Sequence, residues 1–196
     1  MFEKIILLVH SYLLGSISPA YLLAKYKFGF DIRTKGSGNP GTTNAFRTMG
    51  KKAALLTLVL DVSKGIFGAF LGSKFVGEDF GAYTGLMAVL GHNFPIFLNF
   101  KGGKGVATSM GMVGFLSLKT LGLCVGPGLI VLCLSKIVSL ASITGFITLL
   151  ISSLYEGFTK SFGPKTVVFI FISLLNIYRH RANIDRILKG KEKKII

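Results

Sequence analysis

The sequence predicts an all-α integral membrane protein with about seven transmembrane helices, the N-terminus outside and the C-terminus cytoplasmic. Three observations carry this prediction. Only 16% of the 196 residues are charged, against roughly 25% in an ordinary soluble domain. Apolar residues make up 51% and the mean hydropathy is +0.62, too much apolar surface for a disordered chain to leave in water. Finally, 23 Lys and Arg against 8 Asp and Glu give a net charge of +15, and these charges sit in blocks between long apolar runs. A basic balance alone would also suit nucleic acid. The apolar runs argue against that partner and for basic loops gathered on one side of a bilayer.

The first apolar run is Ile5–Ala24. A hydrophilic segment follows from Lys25 to Lys52, with seven Lys or Arg and one Asp. Six further apolar segments can be marked at Ala53–Val76, Ala82–Leu98, Gly105–Leu118, Thr120–Ser135, Ile137–Leu154 and Thr166–Tyr178. The tail from Arg179 again holds seven Lys or Arg. Two strongly basic segments belong on the cytoplasmic side, so an even number of crossings must separate them. Six segments meet that condition, and the first run makes seven. The loops at Lys101–Lys104 and Lys136–Ser142 then fall on the cytoplasmic side. Glu78, Asp79 and Glu156 fall on the other. Gly105–Ser135 is short for two crossings of ~20 residues each; as a single helix it would move the Ser139 loop outside. No repeat, low-complexity tract or long linker divides the chain, so residues 1–196 read as one polytopic domain.

Cys124 and Cys133 lie nine positions apart in one apolar run. On a helix they point to opposite faces about 13 Å apart, too far to bridge, and they read as packing residues. The one deep acid is Asp61, with Lys64 three positions on. Thr57, Asp61, Lys64, Gly65, Gly68 and Gly72 share a helical stripe of small and polar residues suited to close packing. Intramembrane charges are functional candidates by default, but an i,i+3 ion pair accounts for these as structural support.

Chemistry concentrates in three loops. The first reads GSGNPGTTNAFR, residues 36–47. It fits neither a dinucleotide fingerprint, which needs a βαβ unit, nor a phosphate loop of the Walker type, where Thr42-Thr43 would have to be Lys-Ser/Thr. The shared physics survives: glycines let backbone N–H groups converge on an anion, and Ser37, Thr42, Thr43, Asn44 and Arg47 add donors. A solvated turn explains the same residues. The second loop runs from Gly91-His92-Asn93 to Lys101-Gly102-Gly103-Lys104-Gly105, directly before an apolar span. A Gly-Gly turn with two lysines at a helix N-terminus suits phosphate. His92 alone reads as a packed or capping residue. The third, Ser139-Leu140-Ala141-Ser142-Ile143, looks like ordinary small residues starting a helix. Near the C-terminus Asn176, His180 and Asn183 share a helix face, while Asp185 reads as a surface charge. The acids are scattered, so no metal site is expected. A transporter with a cationic vestibule would explain the basic loops as well as an enzyme does, but it should line both sides of the membrane with charge or show inverted repeats.

Taken together, GSGNPGTTNAFR, GHNFPIFLNFKGGKGVATS and SLASI resemble, in order, the three cytoplasmic motifs of the bacterial PlsY-type glycerol-3-phosphate acyltransferases. LDVSKG in the second span and YRHRANI near the C-terminus extend the resemblance over essentially the whole chain. It implies acyl transfer from acyl phosphate to the sn-1 hydroxyl of glycerol 3-phosphate, releasing lysophosphatidic acid and inorganic phosphate, at the cytoplasmic face of the bacterial inner membrane. It implies catalytic roles for Ser37, Arg47, Lys104 and His180. Thr43, Asn44, Gly102, Gly103, Gly105, Ser142 and Asn183 would bind substrate, the glycines by shaping a phosphate loop. The implied partners are acyl phosphate, glycerol 3-phosphate and membrane lipids, with no cofactor. The three loops offer no strong general base, and the resemblance implies a substrate-assisted route in which the acyl-phosphate group accepts the hydroxyl proton.

Overall fold

A computed structural model of the chain describes residues 1–195. Among these the regular structure is helical, without a strand. Two compact units divide the chain, Met1–Leu116 and a second that begins at Ser117.

The first unit holds α1 (Phe2–Ser16), α2 (Pro19–Phe28), α3 (Thr42–Met49), α4 (Lys51–Phe75), α5 (Glu78–Asn93) and α6 (Val106–Leu116). Single-turn 3-10 helices lie at Ile32–Thr34 and Ile96–Leu98. The expected first span is broken: α1 and α2 meet at a 41° bend. The cause is Pro19, which has no N–H to give the Gly15 carbonyl four residues earlier. Ser18 restarts the helix, its Oγ accepting from the Tyr21 N–H at 3.4 Å.

The hydrophilic segment also contains a helix that composition hides. In α3, Ala45 packs with Ala20 and Ala24 of α2, Ile32 and Ala54 of α4, flanked by Phe46 and Met49. Tertiary burial rather than propensity selects this helix.

The centre of the unit is α4, which packs against α1, α5 and α6. Its predicted stripe is the buried face: Thr57, Asp61, Lys64, Gly65, Gly68 and Gly72 all point inward, while Leu55, Leu56, Val59, Leu60 and Phe67 are exposed. Lipid gives apolar side chains no reason to hide, so close backbone packing decides the interface. A Cβ on Gly65 would overlap the Thr108 carbonyl of α6, and one on Gly111 would overlap the Val62 carbonyl of α4. The α1–α5 contact repeats the device, with Gly15 on Ala88 and Gly91 on Tyr12.

The second unit holds α7 (Leu118–Ser135), α8 (Val138–Thr159), α9 (Pro164–Arg179) and α10 (Arg181–Leu188). Helix α8 packs against α7 and α9, and α10 lies on both α8 and α9. The tail returns to the start of α8, where the Ile195 N–H donates to the Lys136 carbonyl at 2.8 Å. Both cysteines are free; Cys124 is buried, as a packing residue would be, whereas Cys133 is exposed.

By length and composition α4, α7 and α8 each suffice to cross a membrane, and α1 with α2 makes a fourth candidate. Helices α5 and α6 are shorter than the segments marked for them, whereas α9 is longer than its own. Helix α5 ends at Asn93 because Pro95 follows, so the end of the marked segment, Phe94–Leu98, lies outside it and holds only the short 3-10 turn. Residues 105–135 form two helices, split where Ser117 turns extended and caps α7, its Oγ accepting from the Thr120 N–H at 3.2 Å. At about 1.5 Å per residue, the 11 residues of α6 rise about 16 Å, roughly half a hydrocarbon core.

Candidate active site

The first loop is built around Asn44, whose side chain is 1% exposed. Its Oδ1 accepts from the Ser37 N–H at 2.8 Å, and its Nδ2 donates to the carbonyls of Ile32 at 3.2 Å and Lys35 at 3.0 Å. Both amide hydrogens are therefore spent on the loop. Asn44 shapes the turn, and the turn presents its neighbours. Ser37 and Arg47 are exposed and Thr43 half-buried; Thr43 and Arg47 share a face of α3 at i,i+4 spacing. Gly36 has φ +64°, and a Cβ there would overlap the Asn44 Oδ1, so glycine is required twice over.

Asp31 and Arg33 close the base of this loop. The Arg33 Nη2 lies 2.7 Å from Asp31 Oδ2, and Nε bonds both carboxylate oxygens at 3.0 and 3.1 Å. That hydrogen bonding holds the Asp31 carboxyl below its ordinary range despite partial desolvation. The third arm of the guanidinium, Nη1, donates to the Leu98 carbonyl at 3.4 Å. One side chain thus ties the Ser37–Arg47 turn to the second loop, three residues before Lys101.

The second loop wraps around His92. Asn99 and Phe100 both adopt left-handed backbone, φ 53° and 59°, a conformation costing about 1–3 kcal/mol per non-glycine residue. The Phe100 N–H, donating to the Pro95 carbonyl at 2.9 Å, and the Lys101 N–H, donating to Leu98 at 3.2 Å, hold it. The Gly103 N–H then donates to the His92 carbonyl at 3.0 Å. A Cβ on Gly102 would overlap that same carbonyl, and a Cβ on Gly103 would overlap the His92 ring. Gly105, at φ +83°, turns the chain into α6, where its carbonyl accepts from the Ser109 N–H at 2.7 Å. Lys104 is half-buried and Lys101 exposed at this helix start.

His92 is 6% exposed and packed, as the sequence suggested. Its Nδ1 lies 3.3 Å from the Asp61 carboxylate, which also pairs with Lys64 at 2.8 Å. Lys64 Nζ in turn donates to the carbonyls of Gly15 at 3.0 Å and Ile17 at 2.9 Å. The i,i+3 ion pair that the spacing implied is formed.

In the second unit Ser142 Oγ donates back to the Val138 carbonyl at 2.9 Å within α8. His180, 2% exposed, stands between α9 and α10 with Nδ1 2.8 Å from the Asn176 carbonyl. A carbonyl only accepts, so Nδ1 carries a proton. Asn183 Nδ2 donates at 2.6 Å to the carboxylate of Glu192, a residue that the sequence reading missed. Ser139 Oγ donates to the same Oε1 at 2.7 Å, and Arg186 Nε to Oε2 at 2.6 Å. Desolvation raises the Glu192 pKa, but these three donors outweigh it and leave the carboxyl below its ordinary range. The available signal was a lone acid among the lysines of Lys189-Gly190-Lys191-Glu192-Lys193-Lys194. Asp185, by contrast, is an exposed partner of Lys189 at 2.8 Å, the surface charge expected.

The family model for glycerol-3-phosphate acyltransferase matches residues 5–190. A glycerol-3-phosphate acyltransferase of Alkaliphilus metalliredigens is 40% identical over 193 residues, 98% of this chain and 96% of its own. One from Clostridioides difficile is 43% identical over 203 residues, covering 100% and 97%. Among solved structures, PlsY, an integral membrane glycerol 3-phosphate acyltransferase, superposes in its glycerol 3-phosphate form with a TM-score of 0.90 at 40% identity, over 98% of this chain and 95% of that one. Its lysophosphatidic acid form gives 0.87 at 39% identity over the same shares. An enzyme, not a transporter, is therefore the outcome of the two readings left open by the loops: the chain belongs to the glycerol-3-phosphate acyltransferase family, integral membrane acyltransferases of the PlsY type.

Proposed function

We propose that this acyltransferase takes its acyl group from acyl phosphate and passes it to the sn-1 hydroxyl of glycerol 3-phosphate, making lysophosphatidic acid and inorganic phosphate as the first acylation of phospholipid synthesis. The observation that supports this most directly is the Arg33 bridge to Leu98. It joins two turns rich in anion donors, so that two phosphorylated reactants have adjacent places to dock.

Acyl phosphate is a mixed anhydride, and its carbonyl arrives activated. The hydroxyl oxygen bonds to the acyl carbon, the bond from that carbon to the phosphate oxygen breaks, and the hydroxyl proton leaves on the departing phosphate. Such a reaction asks mainly for alignment, which contributes roughly 7–11 kcal/mol in well-oriented systems, and for donors aimed at developing negative charge. Ser37, Arg47, Lys104 and His180 are the side chains assigned to that work. Thr43, Ser142 and Asn183 bind substrate, while Asn44, Gly102, Gly103 and Gly105 contribute through the shape of their turns. No metal or cofactor is required, because the donor is already activated.

In this reading the site faces the cytoplasm at the bacterial inner membrane, and the basic loops support that orientation through the positive-inside rule. In the same reading the chain crosses seven times, N-terminus outside and C-terminus inside, as one acyltransferase domain whose acyl chain lies against lipid-facing helices. Purified protein supplied with acyl phosphate and glycerol 3-phosphate should release inorganic phosphate in step with lysophosphatidic acid. Activity with acyl-CoA and none with acyl phosphate would overturn the donor assignment.

A further inference from the structure

The break in the first span and the turn assigned to phosphate are joined by a chain of buried contacts that the reaction itself does not require. It begins with a defect. Pro19 cannot donate to the Gly15 carbonyl, and the interruption also orphans the Ile17 carbonyl. Lys64 reaches across from α4 and donates to both, at 3.0 and 2.9 Å. Its charge is balanced by Asp61, one turn earlier, at 2.8 Å. The same carboxylate oxygen faces His92 Nδ1 at 3.3 Å, and the His92 carbonyl and ring form the floor under Gly102 and Gly103. All three polar side chains are nearly inaccessible, at 1% for Asp61, 5% for Lys64 and 6% for His92.

An ion pair kept this far from water is costly unless its remaining donors and acceptors are used. Here Lys64 donates to two helix carbonyls and pairs with one carboxylate by charge. Asp61 Oδ1 faces the Lys64 ammonium and the His92 imidazole together, at 2.8 and 3.3 Å. A histidine is well suited to the last position, since its Nδ1 can be held by the carboxylate while its far edge supports a backbone. Only a residue without Cβ can lie on that edge, and Gly103 does.

We propose that Lys64, Asp61 and His92 form a positioning brace that sets the shape of the Gly102–Gly105 turn, and hence its affinity for the phosphate of glycerol 3-phosphate. The inference rests on the phosphate role given to that turn above and names residues outside the assigned catalytic set. None of the three touches substrate in this account; they act through the turn. The brace serves phosphate binding more than the chemical step, so its loss separates the two kinetically.

Two variants test it. Asp61→Asn combined with Lys64→Met removes both buried charges together and leaves no unpaired ion. His92→Leu cuts the brace at the turn. In each, KM for glycerol 3-phosphate should rise about tenfold or more, with kcat and KM for the acyl donor within about threefold of the unaltered enzyme. Hydrogen exchange at the Gly103 amide should accelerate in protein without substrate. His92→Asn keeps a donor where Nδ1 stood, and should restore much of the lost affinity relative to His92→Leu. Parallel changes in both KM values, or unchanged Gly103 exchange, would overturn the brace. If the double variant does not fold, the comparison of His92→Asn with His92→Leu decides alone. Gly103 exchange needs no substrate, so it reports on the brace separately from the donor assignment, whose own failure would show as no phosphate release by the unaltered protein.

Discussion

The Asn44 side-chain oxygen accepts the backbone N–H of Ser37 at 2.8 Å, closing a turn in which the buried amide is scaffold and the exposed serine is the group on display. The same amide faces two carbonyls through its nitrogen. An aspartate there would keep the acceptor for Ser37 but turn an acceptor on Ile32 and Lys35. Each buried polar group left unsatisfied costs about 1–3 kcal/mol. Asn44→Asp should therefore lower the melting temperature and reduce kcat/KM for glycerol 3-phosphate by about a hundredfold. A folded Asn44→Asp enzyme with full activity would show that the turn does not depend on this clamp.

Gly103 has no room for a methyl group. Since a Cβ would overlap the His92 ring, Gly103→Ala must push the turn away from its floor. The expected result is a folded protein whose kcat/KM falls at least tenfold, mostly through KM for glycerol 3-phosphate. Gly50 is a useful control, since a Cβ there meets nothing within 4 Å. Its φ of +86° strains an alanine locally, yet Gly50→Ala should leave that KM unchanged.

Glu192 gives the tail a dependence on acid. Its pKa is depressed in the folded protein by Ser139, Arg186 and Asn183, against the opposing effect of desolvation. A depressed carboxyl contributes stability above its unfolded value, about 4.3, and that contribution is lost as pH falls through the lower folded value. Protease cleavage of the tail should accelerate as pH drops through that window. Glu192→Gln should cleave faster at neutral pH and show a flatter pH profile. An identical profile in the variant would mean that the tail is held by something else, such as the Ile195 bond to Lys136.

His180 separates two accounts of the proton. If the acyl-phosphate group accepts it, His180→Ala should weaken glycerol 3-phosphate use, with kcat/KM down about a hundredfold, yet retain single-turnover chemistry once both substrates are bound. General-base catalysis contributes about 10²–10⁴-fold. Complete loss of single-turnover acyl transfer in a folded, substrate-bound variant would make His180 the base.

Much of this enzyme is legible in its sequence, for identifiable reasons. The α4 stripe could be read because a membrane inverts the usual rule: small and polar residues mark the inner face, and Thr57, Asp61, Lys64 and Gly65 stand out against leucine and valine. The two glycine-rich turns could be read because runs of Gly with Lys, Ser or Thr stand out between apolar spans. Helix α3 could not, because its stability comes from Ala45, Phe46 and Met49 meeting α2 and α4, contacts far apart in the chain. Nor does composition separate Asn44 as a clamp from Asn44 as a ligand, since the same donors and acceptor serve both. The break at Ile17-Ser18 lay within an unbroken apolar run; Pro19 marked the place, but the lysine that compensates for it stands 45 residues later. Glu192 was hidden by the charge around it.

Backbones that touch at Gly15, Gly65, Gly91 and Gly111 also limit how this enzyme can be made more robust for laboratory use. Replacing helical glycine by alanine commonly raises thermal stability by about 0.4–1 kcal/mol, but at these four crossings it would wedge neighbouring helices apart. Gly122 and Gly126 on α7 face open space instead. Alanine at those two sites is where a sturdier preparation should be sought.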